Sequence, residues 1–184
     1  SQNEDPVSNH IMGTYYYYGF HVQRYIFKAI EWFIKSANKG YSDSQYMLGM
    51  IYETIGEDDR QKETAEQYYE LAAKQDHPYA LYALGVNALE RKVWPKAIFY
   101  LEKAARQNYA LAAYTLAYYY HDKDEKQPLK AFEWFMVAAK QHHTEAEYYV
   151  GLYYHLGKGV QKDLNQAIYW YERAALKKDK NALY

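Results

Sequence analysis

The stretch AEYYVGLYYHLGKGVQKDLNQAIYWYERAA, residues 146–175, holds one full copy of the pattern that decides the fold. Its first half carries Ala146, Val150, Gly151 and Tyr154, and its second half carries Ala167, Trp170, Ala174 and Ala175. Positions i, i+3, i+7 and i+8 fall on one face of an α-helix, so the second half reads as an amphipathic helix, B. The first half has helical spacing too and reads as a helix A. Between them lies Gly157-x-Gly159-Val160, a loop signal. Nothing in the chain alternates with period two, so strands are not expected.

The same columns recur along the chain. Helix B alanines stand at Ala29, Ala65, Ala97, Ala131 and Ala167, each followed three residues later by Trp32, Tyr68, Tyr100, Trp134 or Trp170. The closing pairs are Ala72-Ala73, Ala104-Ala105, Ala138-Ala139 and Ala174-Ala175, with Ser36-Ala37 as a weaker first copy. Helix A places Gly13, Gly49, Gly85, Ala117 and Gly151 in one column, preceded by Met12, Leu48, Leu84, Leu116 and Val150. From each helix B alanine to the next member of that column the step is 20 (29 to 49, 65 to 85, 97 to 117, 131 to 151), while the column itself advances by 36, 36, 32 and 34. All length variation therefore falls in the A-to-B loop, and the B-to-A junction is constant. That is the signature of a stacked repeat array. Ser42-x-x-Gln45 and Thr144-x-x-Glu147 read as capping boxes opening helix A. Eleven residues after the helix B alanine stand Gly40, Asp76, Asn108, His142 and Lys178; the first three suit a left-handed helix end best. The aromatic at the third position, Trp134 for example, is expected between the helices.

Ala-x-x-x-Leu-Gly-x-x-Tyr, then Gly-x-Gly-Val-x-x-Asp-x-x-x-Ala-x-x-Trp, then Ala-Ala, resembles the Sel-one-like repeat, a cousin of the tetratricopeptide repeat. Residues 146–175 carry it almost whole. The first copy keeps Gly19 and Val22 but has His21 and Tyr25 for the second glycine and the aspartate, and copies two to four lose the glycine loop. The resemblance implies an all-α, right-handed α/α superhelical solenoid of five helix-turn-helix repeats. The expected divisions are an N-terminal extension over 1–7, repeats at 8–43, 44–79, 80–111, 112–145 and 146–181, and the start of a sixth at 182. It also implies a non-catalytic adaptor or scaffold that binds a protein or peptide in a concave groove lined by helix A. A bacterial immunity protein neutralising one toxin is the alternative, and an enzyme or small-ligand binder the weakest reading. The implied setting is the bacterial cytoplasm or periplasm. The disulfide-bearing members of the family are no guide, since this chain has no cysteine.

Taking the glycine column as zero, positions −3, +1 and +4 form a second stripe on helix A. By analogy with tetratricopeptide repeats it faces the groove. The candidate partner-binding residues are Tyr46, Tyr82, Tyr114 and Tyr148 at −3, Met50, Val86, Tyr118 and Leu152 at +1, and His121 and His155 at +4. Tyrosine offers contact area with few rotamers to freeze and a hydroxyl for hydrogen bonding. The −3 column can equally serve packing between neighbouring repeats, and His121 and His155 can sit near each other or be plain surface histidines.

The remaining chemistry is sparse. Lys and Arg number 22 against 23 Asp and Glu in 184 residues, a balance with no electrostatic footprint for nucleic acid. The mean hydropathy is −0.67 and no run approaches the roughly 18 apolar residues of a membrane span. His142-His143 lacks the further ligands a metal needs and reads as a solvated turn. Ser36-Ala37-Asn38-Lys39 matches Ser-x-x-Lys, but no Ser-Asp-Asn or Lys-Thr-Gly completes a β-lactamase-like site. No catalytic residue, metal or cofactor is expected, and the oligomeric state is open.

Overall fold

Each B-to-A junction is one hydrogen-bonded turn, built four times. Gly40, Asp76, Asn108 and His142 all take left-handed φ values, between 57° and 85°. Their amides bond the carbonyls of Ala37, Ala73, Ala105 and Ala139 at 2.9–3.1 Å. The next amides, of Tyr41, His77, Tyr109 and His143, reach back to Ser36, Ala72, Ala104 and Ala138. These paired bonds satisfy helix-end carbonyls and fix the direction of the following helix. The constant step of 20 is this turn. His142 adopts the left-handed conformation as Asp76 and Asn108 do, whereas residue 178 lies inside a helix.

The structure is a computed structural model that describes the backbone of residues 5–56, 58–122 and 127–181, with side chains as far as Leu176. Among the described residues there are ten α-helices and no strand. The contacts divide the chain into two compact units, residues 1–93 and 94–184. In the first, α1 (Pro6–Tyr18), α2 (Ile26–Ala37), α3 (Ser42–Ile55), α4 (Asp59–Ala73) and α5 (Pro78–Glu90) pack each on the next, and α3 also touches α5. In the second, α6 (Trp94–Arg106), α7 (Ala110–Asp122), α8 (Pro128–Lys140), α9 (Thr144–Leu156) and α10 (Leu164–Asn181) do the same. Neighbour-only packing of helix pairs is the α/α solenoid architecture. No helix among the described residues is long and apolar enough to cross a membrane.

The first helix begins at Pro6, capped by the Asp5 carboxylate on the Ser8 amide at 3.0 Å, so two residues assigned to an extension are helical. Residues 1–4 and the expected sixth copy at 182 lie outside the described residues.

The core follows from the glycine column. A Cβ added at Gly13, Gly49 or Gly151 meets the ring of Phe33, Tyr69 or Tyr171 at 2.6, 2.5 or 2.8 Å. Glycine there lets helix A lie directly against an aromatic ring of helix B. That ring is four residues after the helix B alanine, not three. Phe33, Tyr69, Leu101 and Phe135 are at most 1% exposed, while Trp32, Tyr68, Tyr100 and Trp134 are only half-buried; the fifth repeat differs, with Trp170 buried at 7% and Tyr171 half-buried. The geometry explains the correction. At about 100° per residue, positions 0, +7, +4 and +8 span about −20° to 80°, with +4 near the middle and +3 at about −60°.

Two further expectations are corrected. The capping boxes do not form: Tyr41 and His143 occupy the caps, and Ser42 and Thr144 are already helical. Gln45 and Glu147 are buried instead. Gln45 donates to the Ala37 carbonyl at 3.3 Å and accepts from Gln75 at 2.8 Å. Glu147 accepts from Nε and Nη2 of Arg173 at 3.2 and 2.8 Å, tying α9 to α10.

Candidate functional site

The helix A stripe begins in the first unit with His10, Tyr46, Met50, Tyr82 and Val86, all half-buried. His10 heads a chain of hydrogen bonds whose direction can be deduced. Ser36 Oγ donates to the Pro6 carbonyl at 2.6 Å, and Ser44 Oγ donates to Ser36 Oγ at 2.8 Å. The Ser44 proton is therefore committed, and His10 Nδ1–H must be the donor to Ser44 Oγ at 2.9 Å. Every proton points away from the imidazole, the reverse of what a serine nucleophile and its base require. Ser36, fully buried, spends its hydroxyl tethering α2 to the start of α1.

Tyr46 stacks on His77, centroids 4.9 Å apart at 22°. His77 caps α5: its Nδ1 accepts from the Ala80 amide at 3.3 Å, which leaves Nε2–H to donate to Asp43 Oδ1 at 3.1 Å. Burial lowers the His77 and His10 pKa values, against the opposing pull of Asp43. The neutral rings are the ones these bonds need. At +4, Glu53 accepts from the Tyr69 hydroxyl at 2.7 Å, so its carboxylate is tied to the core.

In the second unit Tyr114 stacks on His143, the α9 cap, at 4.4 Å and 20°. Tyr114 is half-buried there, whereas Tyr118 and Tyr148 are 44% and 48% exposed. Tyr149, one residue past the stripe, lies flat on Phe135 at 4.6 Å and takes Tyr118 on its edge at 6.1 Å. His121 Nδ1 is 2.9 Å from the hydroxyl of fully buried Tyr153. Burial raises the Tyr153 pKa to about 12 and lowers that of His121, where Lys158 adds to the effect. His155, exposed, lies edge-on to Tyr171 at 6.4 Å, so the two stripe histidines engage different rings. Leu152 is half-buried beside them in sequence.

His142 is exposed and accepts at Nδ1 from Arg173 Nη2 at 3.0 Å. Among the described residues no three His, Asp or Glu side chains gather as a metal site requires. Sequence reasoning missed Asp43, His77 and Tyr149, and the solvated turn expected at His142-His143 is corrected at His143, which is half-buried as the cap of α9. The signal for the two caps was present: His77 and His143 both follow the left-handed residue of the junction, in the helix-capping position.

A half-open cavity of about 380 Å³ lies in the second unit, lined by Tyr114, Thr144, Glu145, Tyr148, Tyr149, Tyr171, Ala174 and Ala175. It is walled by aromatic rings, carries one carboxylate, and has no lysine or arginine among its described lining residues.

Known structures share the architecture. The chain resembles c5321, described as a protective antigen present in uropathogenic Escherichia coli strains and displaying an SLR fold. The match has 29% identity and a TM-score of 0.80 over 93% of this chain, which spans only 38% of that protein. A Sel1 repeat protein from Oxalobacter formigenes matches with 25% identity and a TM-score of 0.83, over 92% of this chain and 72% of the other. Immunity protein Pa5087 from Pseudomonas aeruginosa, 21% identical with a TM-score of 0.63, covers 95% of this chain and 69% of its own and shares the fold. No curated protein sequence matches significantly. The family model of the Sel1 repeat matches five times, at 6–41, 42–77, 78–109, 110–143 and 144–179. The chain belongs to the Sel1 repeat family.

Proposed function

We propose that this protein is a non-catalytic interaction module that holds a partner protein or peptide against the exposed part of its helix A stripe. The observation that carries the reading is the exposure of Tyr118 and Tyr148, 44% and 48%, beside a layer of rings that is itself fixed. Rigid aromatic side chains on a packed support suit recognition, because little entropy is lost when they are covered. The polar groups that resemble catalytic ones are used by the fold. Ser36 is tethered, His77 and His143 cap helices, and Glu147 is held by Arg173. Neutralising a toxin is a special case of the same binding mode and differs only in what is captured.

The test is capture from the native organism, followed by mass spectrometry, with the wild-type chain and a Tyr118→Ala/Tyr148→Ala variant as bait. Proteins retained by the wild type and lost by the variant support the reading. Equal retention by both contradicts it, as does loss on reversing Glu133 and Lys140, which are exposed on α8.

A further inference from the structure

The second and fifth repeats carry the same slot, and among the described residues only one of them is filled. In the second, Asp43 at −6 and Tyr46 at −3 meet the His77 ring, which is brought in by the turn whose amides bond back to Ala72 and Ala73. Tyr46 stacks on that ring at 4.9 Å and Asp43 accepts its Nε2–H at 3.1 Å. In the fifth, Glu145 stands at −6, Tyr148 at −3 and Ala174-Ala175 close helix B, and these residues line the open 380 Å³ cavity.

Burial records the difference. The second alanine of the pair is 6%, 6%, 2% and 0% exposed at Ala37, Ala73, Ala105 and Ala139, but exposed at Ala175. Among the described residues the rings against Tyr148 are those of its own repeat, Tyr149 and Tyr171, at 5.5 and 5.7 Å. Helices α2, α4, α6 and α8 stop where the left-handed turn brings in the next cap, while α10 continues to Asn181. The repeats differ also in chemistry. At −6 the chain has Val7, Asp43, Tyr79, Leu111 and Glu145, so an acidic residue stands only in the filled His77 slot and in the open one.

We propose that the open slot of the fifth repeat binds a planar N–H-bearing side chain of a partner, arginine or histidine, stacked on Tyr148 and donating to Glu145. The chain's own His77 is the template for the pose. Glu145 has 60% of its side chain exposed and meets the His143 Nδ1 at 3.5 Å, a nitrogen that also receives the Ala146 amide. Arginine adds full charge to the planar N–H geometry and a favourable face-on contact with the ring. This rests on the reading of the helix A stripe as the recognition face and supplies the chemistry of one contact within it.

The test is titration of the full chain with N-acetyl-arginine amide and N-acetyl-histidine amide, followed by amide chemical shifts, with the lysine and leucine amides as controls. Saturable shifts are expected at Glu145, Tyr148 and Ala175, with millimolar affinity for arginine and at least about fivefold weaker binding of the leucine amide. Glu145→Gln should weaken the arginine amide about threefold or more, Tyr148→Ala should abolish its binding, and Tyr148→Phe should retain it. Melting temperatures measured on the same samples should be unchanged. Absence of saturable shifts, equal binding of the lysine or leucine amide, or indifference to Glu145→Gln and Tyr148→Ala overturns the proposal. Tyr118 does not line the cavity. If Tyr118→Ala alone reduces partner capture while no amide binds, the slot fails and the recognition face stands.

Discussion

Tyr46 and Tyr148 occupy the same place in two repeats, yet one is covered and the other open. Tyr46 is covered by the His77 ring and stands on fully buried Tyr69, 6.0 Å away. Among the described residues Tyr148 meets only rings of its own repeat, and it lines an open cavity. The comparison bears on a choice that the sequence left open. Tyr46 and Tyr114 pack under the cap rings of His77 and His143 that the next turn delivers, whereas among the described residues no cap ring lies over Tyr148, which on the proposed reading is free for recognition. On that reading one column serves both purposes, decided by the neighbouring turn.

The largest expected effect concerns the core beneath both sites. Phe135→Ala should cost about 3–5 kcal/mol in denaturant unfolding, since the ring is fully buried under Tyr149. Trp134→Ala should cost clearly less, because that side chain is half-exposed. Equal costs would mean that helix B is rotated from the orientation described. Next in size, Gly49→Ala drives a methyl group into the Tyr69 ring at 2.5 Å and should destabilise by about 1–3 kcal/mol despite alanine's better helix propensity. A neutral or stabilising result would break the claim that the glycine column admits the ring.

Tyr46→Ala and Tyr148→Ala sharpen the comparison itself. The first removes a stacked pair and should lower stability by at least about 1 kcal/mol. The second should stay within about 0.5 kcal/mol. Matched losses would make both tyrosines packing residues. Acidification probes the filled slot. The pKa values of His10, His77 and His121 are lowered by burial, so the folded state binds fewer protons than the unfolded chain. Their stabilisation is complete above the unfolded value of about 6.5 and is lost as pH falls below it through the lowered folded values. The melting temperature should therefore fall between neutral and mildly acidic pH. His77→Asn keeps a capping acceptor without a titrating ring and should flatten that dependence. An unchanged slope would remove His77 from the account.

Much of the fold was legible because repetition multiplies weak signals. A single Leu-Gly pair means little, whereas an apolar residue and a small one recurring four times at the same offset from an alanine fix both the helices and the junction. Phase within helix B was harder. Trp134 is larger and rarer than Phe135 and carries the stronger repeat signal, although the angular position favours the residue after it. The caps were hidden because histidine is an uncommon capping residue. Ser42 and Thr144 formed apparent boxes one position too late, while His77 and His143 supplied the capping nitrogens. For the site, the stripe could be read from spacing, but exposure within it could not. That depends on which ring the following turn places over each tyrosine, a contact between residues about thirty positions apart, such as Tyr46 and His77.

The central claim is that the exposed tyrosines of the stripe bind a partner. It is tested most directly by measuring affinity for a captured partner and melting temperature on the same samples of wild type and Tyr118→Ala/Tyr148→Ala. The account predicts affinity weakened about a hundredfold or more, since buried aromatic anchors often contribute about 2 kcal/mol or more each, with melting unchanged and with Glu133→Lys/Lys140→Glu binding as wild type. Wild-type affinity in the tyrosine variant, or lost affinity in the α8 charge reversal, would contradict it.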